Sequence, residues 1–234
     1  NSFEWKWAYA SLHIMRSASA QSDMVMHNAV ASACESCAQW ELSFHLACLG
    51  SHVCLTPDVF SFSAAISASE KVAYWEWSCI QFSSLCSRRI VPNAITYNGT
   101  ISACEKAAEW ERASALLEAL RQEGQQNCIG YNATLSACEK AGKWVVAFGM
   151  LNRMLGESRL NLEDAVPFNA VLAAFEQAGK WDLALLLLTR MAKLVKPDEY
   201  SYNAVISACK QRVKLLGSRN ANLRGLKRRG PRKK

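Results

Sequence analysis

The chain has 234 residues, half of them apolar, with 27 lysines and arginines against 20 aspartates and glutamates and a formal net charge of +7. That length supports a substantial core in one or two domains. Eleven glycines and five prolines exclude collagen-like and Pro/Gly-rich disordered classes, ten cysteines are too sparse for a small disulfide scaffold, and no apolar run approaches the roughly 20 residues of a membrane-spanning helix.

Taken in chain order, the sequence repeats. Tryptophan recurs at Trp5, Trp40, Trp75, Trp110, Trp144 and Trp181, at spacings of 35, 35, 35, 34 and 37. A second series is Asn28, Ser63, Asn98, Asn132, Asn169 and Asn203, and each comparable Trp lies 12 residues beyond its member of that series. Length variation is therefore confined to the segment after Trp. A third series, in phase with both, is Cys34, Ser69, Cys104, Cys138, Phe175 and Cys209. Self-similarity at such a period marks stacked supersecondary units.

Residues 1–23 read as the second helix of an incomplete unit. Five complete units follow, at 24–58, 59–93, 94–127, 128–164 and 165–198, and residues 199–212 supply one further first helix. In unit 94–127, Ile95, Asn98, Ile101, Ser102 and Glu105 fall at helical spacing, with Thr96 as a start signal. The pair Ala107-Ala108, matched by Ala141-Gly142 and Ala178-Gly179, marks a turn. A second helix from about Glu109 to Gln122 carries the apolar stripe Trp110, Ala113, Leu116, Leu117 and Leu120. Connectors end in Pro57-Asp58, Pro92-Asn93 and Pro197-Asp198, and proline stops the helix before it. Two short amphipathic helices cannot bury their faces alone, but stacked copies can. The prediction is an all-α protein, an α-solenoid of helix-turn-helix repeats of about 35 residues. The Trp series is expected to pack between helices.

Charge is uneven. Residues 1–209 carry a net −4, while 210–234 hold eleven basic residues and no acid. The tail composition, with Gly, Asn, Ser and Pro231, builds no core and predicts a mostly disordered segment over 213–234. Its Arg224, Lys227, Arg228, Arg229, Arg232, Lys233 and Lys234 are candidates for attracting phosphates. The first residue is Asn1 and neither end of the array has a polar cap, so a fragment of a longer array is expected.

The run from Ala94 through Ile95, Thr96, Tyr97 and Asn98 to Cys104, after Pro92-Asn93, resembles the pentatricopeptide repeat. So does Glu199 to Lys210 after Pro197-Asp198. The late Leu120, Met154 and Met191 of the second helices strengthen the resemblance, which covers residues 1 to about 212. The tetratricopeptide repeat is the nearest rival, but its Trp belongs early in the first helix, and here Trp opens the second. The resemblance implies a right-handed solenoid of the P-type that binds single-stranded RNA at about one nucleotide per repeat. It implies an organellar setting, chloroplast ahead of mitochondrion, in RNA processing, stability, editing or translation. Other RNA-processing proteins are possible partners, while no membrane, small-molecule substrate or cofactor is implied.

In the family, the fifth and last residues of each repeat read the base edge and the second wedges against its plane. The resemblance thus places base reading at Asn28, Asp58, Ser63, Asn93, Asn98, Asn127, Asn132, Asp164, Asn169, Asp198 and Asn203, with Asp23 as the last residue of the partial first repeat. Wedging falls to Val25, Phe60, Ile95, Ile129, Val166 and Tyr200. Asn offers donor and acceptor on one plane, whereas Asp only accepts. The family code then reads roughly U-A-Y-U-U from 5′ to 3′. Three extra residues precede Asp164, and Ser63 stands where Thr is more usual. Two structural alternatives stand beside this reading: the Asn residues as helix-start caps or turns, and the second-slot residues as core.

Cys34, Cys104, Cys138 and Cys209 share one slot and are expected as buried, reduced thiols. Cys34, Cys37, His45, Cys48, His52 and Cys54 also admit a zinc reading, which the repeat makes unnecessary, so no metal is expected. The sequons at Asn98 and Asn132 fall inside the repeated helix. There is no His-x-Glu for a zinc deaminase and no glycine-rich phosphate loop. No catalytic constellation is legible, so a non-enzyme is expected. The competing function is a protein-binding α-solenoid scaffold with a generic polybasic tail, favoured by the −4 of residues 1–209.

Overall fold

The computed structural model describes residues 6, 7, 10, 14, 24–37, 39, 41–43, 58–125, 127–157 and 164–212, with side chains in the first long helix from residue 28 onward. The described residues contain helices and no strands: α1 (Met24–Ser36), α2 (Val59–Lys71), α3 (Trp75–Ser87), α4 (Ala94–Lys106), α5 (Trp110–Gln122), α6 (Cys128–Lys140), α7 (Trp144–Gly156), α8 (Val166–Gln177), α9 (Trp181–Met191) and α10 (199–212). None of these is long and apolar enough to cross a membrane. The expected second helix of repeat 94–127 is α5, and the expected lone first helix is α10. Residues 213–234 lie outside the described residues, whereas Lys210 and Arg212 belong to α10 and the Arg212 guanidinium sits 4.2 Å from the Trp181 ring.

Contacts divide the chain into two compact units, 1–137 and 138–234. In the first, α2 pairs with α3 and α4 with α5, each a helical hairpin. The first helices of successive repeats lie side by side, α1 on α2 and α2 on α4, and α3 packs on α4. Phe62, Ile66, Leu85, Ile101, Leu117, Leu120 and Leu135 fill this core. In the second unit, α8 packs on both α7 and α9. Leu151, Met154, Phe168, Leu172, Phe175, Leu187 and Met191 are buried there.

The turns between paired helices share one device. Ala73, Ala108, Gly142 and Gly179 take positive φ of 60°, 59°, 67° and 66°, each closing a first helix in the left-handed region. Trp75, Trp110, Trp144 and Trp181 open second helices and are half-buried. Trp75 lies under the Arg112 guanidinium at 4.4 Å, and Trp144 meets the Phe175 ring at 5.9 Å. These contacts join neighbouring repeats, as the packing expectation required.

The start signal differs from the sequence reading. Helix α4 is capped not by Thr96 but by Asn93, whose Oδ1 accepts the Thr96 N–H at 2.9 Å while Thr96 Oγ1 accepts the Asn93 N–H at 3.0 Å. Thr96 completes a capping box opened three residues earlier.

Candidate functional site

The last residue of one repeat is the N-cap of the next. Asp58 Oδ1 accepts the Ser61 N–H at 2.9 Å, Asn127 Oδ1 the Gly130 N–H at 2.9 Å, and Asp198 Oδ1 the Ser201 N–H at 2.8 Å. Capping fixes which atom of each side chain remains for other partners. An aspartate keeps a second oxygen, an acceptor, and an asparagine keeps its amide nitrogen, a donor. Asp164 departs from the pattern: it is exposed, and Ala165 precedes α8 without any side-chain cap.

The free carboxylate oxygens meet the fifth-slot amides. Asn28 Nδ2 donates to Asp58 Oδ2 at 3.0 Å, and Asn169 Nδ2 to Asp198 Oδ2 at 2.9 Å. Burial alone would raise the Asp58 carboxyl, but the Ser61 N–H, the Asn28 amide and the Ser61 hydroxyl outweigh it and hold it below its ordinary value. The Ser201 N–H, aided by the Ser201 hydroxyl and the Asn169 amide, does the same for Asp198. Both carboxylates are therefore charged acceptors at neutral pH.

A cleft of about 480 Å³ shows the slots assembled. Asp58, Phe60, Ser63, Asn93 and Ile95 line it, with Glu35 and Ser67. Phe60 and Ile95 flank it from successive first helices. The Ser63 hydroxyl donates to the Val59 carbonyl at 2.7 Å, so its oxygen is left as an acceptor. Asn93, with Oδ1 committed to its cap, contributes Nδ2 as a donor.

The second-slot residues Phe60, Ile95, Ile129, Val166 and Tyr200 are each more than half exposed. This excludes the core alternative for all five. The Val25 side chain and Asp23 lie outside the described residues. The fifth-slot Asn residues are not caps either, since that task falls to the last slot. Asn98 and Asn132 are half-buried with Oδ1 unpartnered, and Asn98 makes no bond to Asn127. Asn203 is exposed.

Sequence reading missed a row of lysines. Lys71 Nζ donates to the Glu35 carbonyl at 2.9 Å, and Lys106 Nζ to the Glu70 carbonyl at 2.9 Å, each at the end of a first helix. Their carboxylate partners lie at 3.9 and 3.3 Å. Glu35 lines the cleft, so Lys71 brings a cation to its rim. The signal was available as Glu-Lys at Glu70-Lys71, Glu105-Lys106 and Glu139-Lys140.

Among the slot cysteines, Cys34, Cys104 and Cys138 are buried. Burial pushes Cys34 and Cys138 up to about 11. Cys37 is half-buried, and the other zinc candidates, His45, Cys48, His52 and Cys54, lie outside the described residues. No cluster of three metal-binding side chains occurs among the described residues.

Comparison with known proteins matches this architecture. Residues 95–125 and 129–158 match the PPR repeat, and residues 159–212 match the pentatricopeptide repeat domain, together about half of the chain. No curated protein sequence matches at a significant level. Among solved structures, the pentatricopeptide repeat protein PPR10 in complex with an 18-nt psaJ RNA element is 24% identical with a TM-score of 0.66, over 92% of this chain and 32% of that one. PPR10 from maize alone is 16% identical with a TM-score of 0.54, over 87% and 39%. The PPR domain of Arabidopsis thaliana protein-only RNase P 1, in complex with tRNA, is 13% identical with a TM-score of 0.64, over 77% and 95%. The chain thus spans about a third of the length of PPR10 and shares its all-α solenoid fold. From its repeat matches and its stacked helical hairpins, the chain belongs to the pentatricopeptide repeat family.

Proposed function

We propose that this protein is a sequence-reading adaptor for single-stranded RNA, taking about one nucleotide per repeat in organellar RNA metabolism and performing no catalysis itself. The observation that carries the reading is the cleft between Phe60 and Ile95. It pairs two exposed apolar surfaces, suited to the faces of a base, with an acceptor at Ser63 and a donor at Asn93. That pair complements the adenine edge, which offers an N6 amino donor and an N1 acceptor. In repeats 24–58 and 165–198 an Asn N–H and a carboxylate instead complement uracil O4 and N3–H, and the carboxylate repels the lone pair at cytosine N3. Asn127 presents a donor, which pairs with cytosine N3 or with a uracil carbonyl, so repeat 94–127 is assigned a pyrimidine. The resemblance alone assigns uracil to Asn132 with Asp164, which caps no helix, and Asn203 occupies the next fifth slot.

The RNA-bound state of PPR10 and of the RNase P domain supports the partner class. Lys71 and Lys106 supply cations beside the row of readers, and the tail cations from Arg224 to Lys234 add a non-specific attraction to phosphate. The net −4 of residues 1–209 favours the scaffold alternative.

Equilibrium binding of the full chain to RNA containing UAUUU, against a scrambled control over a salt series, separates the two. Preference for UAUUU, lost in Asn98→Ala and Asn169→Ala, is the expected result. Binding without sequence preference and with a steep salt slope would assign affinity to the tail and leave the repeats as a protein-binding scaffold.

A further inference from the structure

The serine that follows two of the capping aspartates does more than complete a turn. The Ser61 hydroxyl donates to Asn28 Oδ1 at 2.8 Å and lies 3.0 Å from Asp58 Oδ1. The Ser201 hydroxyl repeats this at 2.6 Å from Asn169 Oδ1 and 2.8 Å from Asp198 Oδ1. Ser61 and Ser201 are buried, and each occupies the third slot of the repeat after the Asn it serves. In both triads the amide has its two ends assigned, oxygen to the hydroxyl and nitrogen to the carboxylate. A flip would set the amide oxygen against a carboxylate oxygen. One Nδ2 hydrogen is left over for an outside ligand.

Where the third slot has no hydroxyl and the last slot brings no carboxylate to Nδ2, the amide is unassigned. Gly130 fills that slot after Asn98, and the sequence places Pro167 there after Asn132. The Oδ1 atoms of Asn98 and Asn132 are buried without a partner. A Cβ at position 130 would stand 3.1 Å from Asn98 Oδ1, so this oxygen lies beside the place a serine side chain would occupy. Either orientation of the Asn98 amide leaves one buried polar atom unsatisfied, and nothing in the chain selects between them.

We infer that the third-slot hydroxyl is a positioning residue for base reading: together with the last-slot carboxylate it holds the preceding fifth-slot Asn at both ends, so that repeats 24–58 and 165–198 accept uracil O4 and reject the cytosine amino group, while Asn98 accepts either pyrimidine. The inference rests on the RNA-reading function proposed above and extends it to residues outside the family's fifth and last slots.

The test uses the full chain and RNAs that carry U or C at the nucleotide facing repeat 165–198 or at that facing 24–58. The wild-type chain should prefer U at both by about tenfold, the worth of one satisfied against one unsatisfied hydrogen bond. Ser201→Ala removes the partner of the amide oxygen while Asp198 still holds Nδ2, so it should narrow the ratio at the first of these nucleotides to about threefold through looser placement of the amide, and leave the second unchanged. Ser201→Thr, which retains the hydroxyl, should restore it. Ser61→Ala should give the mirror result, which keeps the test decisive if either alanine variant folds poorly. An unchanged U/C ratio in both alanine variants would overturn the positioning role and leave base reading intact. A wild-type chain with no U/C preference at either nucleotide would overturn both.

Discussion

Repeats 94–127 and 165–198 are built on one template and differ where it matters. Each has a first helix carrying Asn at its fifth slot, an Ala-Ala or Ala-Gly turn, and a second helix opened by Trp. The buried positions correspond: Ile101 and Leu120 in one, Leu172 and Met191 in the other. The polar slots do not. Repeat 165–198 closes with Asp198 and is followed by Ser201, and its Asn169 is bonded at both ends. Repeat 94–127 closes with Asn127 and is followed by Gly130, and Asn98 Oδ1 has no partner. Packing and the proposed base reading therefore fall to different residues, and a repeat can change one set without the other.

The largest effect should come from breaking the packing half of that separation. Phe175 is fully buried, with the Trp144 and Phe148 rings 5.9 and 5.6 Å away. Phe175→Ala should cost about 3–5 kcal/mol in chemical denaturation through the cavity and the lost ring contacts. Asn98→Ala should change stability by less than about 1 kcal/mol, since it deletes a buried oxygen with no partner, yet weaken RNA binding. A strongly destabilised Asn98→Ala would show that the fifth slot is structural and erase the distinction.

The same separation decides what the sequence could reveal. Period, helix pairing and turn position were legible because each repeat states them again: Trp110, Trp144 and Trp181 open second helices and Ala107-Ala108, Ala141-Gly142 and Ala178-Gly179 close first ones. The exposure of Phe60 and Ile95 was not, because an apolar residue one step into a helix reads equally as core. Nor was the capping by Asp58, Asn93, Asn127 and Asp198, since a cap belongs to the helix after it and the repeat boundary hides the connection. For that reason Thr96, and not Asn93, reads from the sequence as the start signal of α4. The serine triads are further removed, because they join residues 28, 58 and 61, or 169, 198 and 201, across two repeats.

The turns give a smaller and reciprocal test. Ala108 and Gly179 take φ of 59° and 66° at equivalent places, and a side chain there bears the left-handed penalty that glycine avoids. Ala108→Gly should stabilise the first unit by about 1 kcal/mol, and Gly179→Ala should destabilise the second by a similar amount. No atom lies within 4 Å of a Cβ added at Gly179, so the cost there is conformational and not a clash. Opposite signs in thermal unfolding would confirm that both turns obey one rule. Equal signs would mean that the two units relax differently around the same backbone.

The smallest effect concerns acid. The Ser201 N–H and its companions hold the Asp198 carboxyl below its ordinary value, so the folded chain binds that proton more weakly than the unfolded one. The stabilisation is complete above the unfolded aspartate value of about 3.9 and is lost as pH falls through the lower folded value. Asp198→Asn removes this dependence while keeping an oxygen to cap the helix, as Asn127 does after repeat 94–127. Its unfolding midpoint should fall less steeply than that of the wild-type chain between about pH 5 and pH 2. Because Asp198 is exposed, water competes for the same bonds and the difference should be small. Parallel pH profiles would mean that water replaces the carboxylate bonds without loss. The charge at the last slot would then orient Asn169 without stabilising the fold, which would draw the line between reading and packing more sharply still.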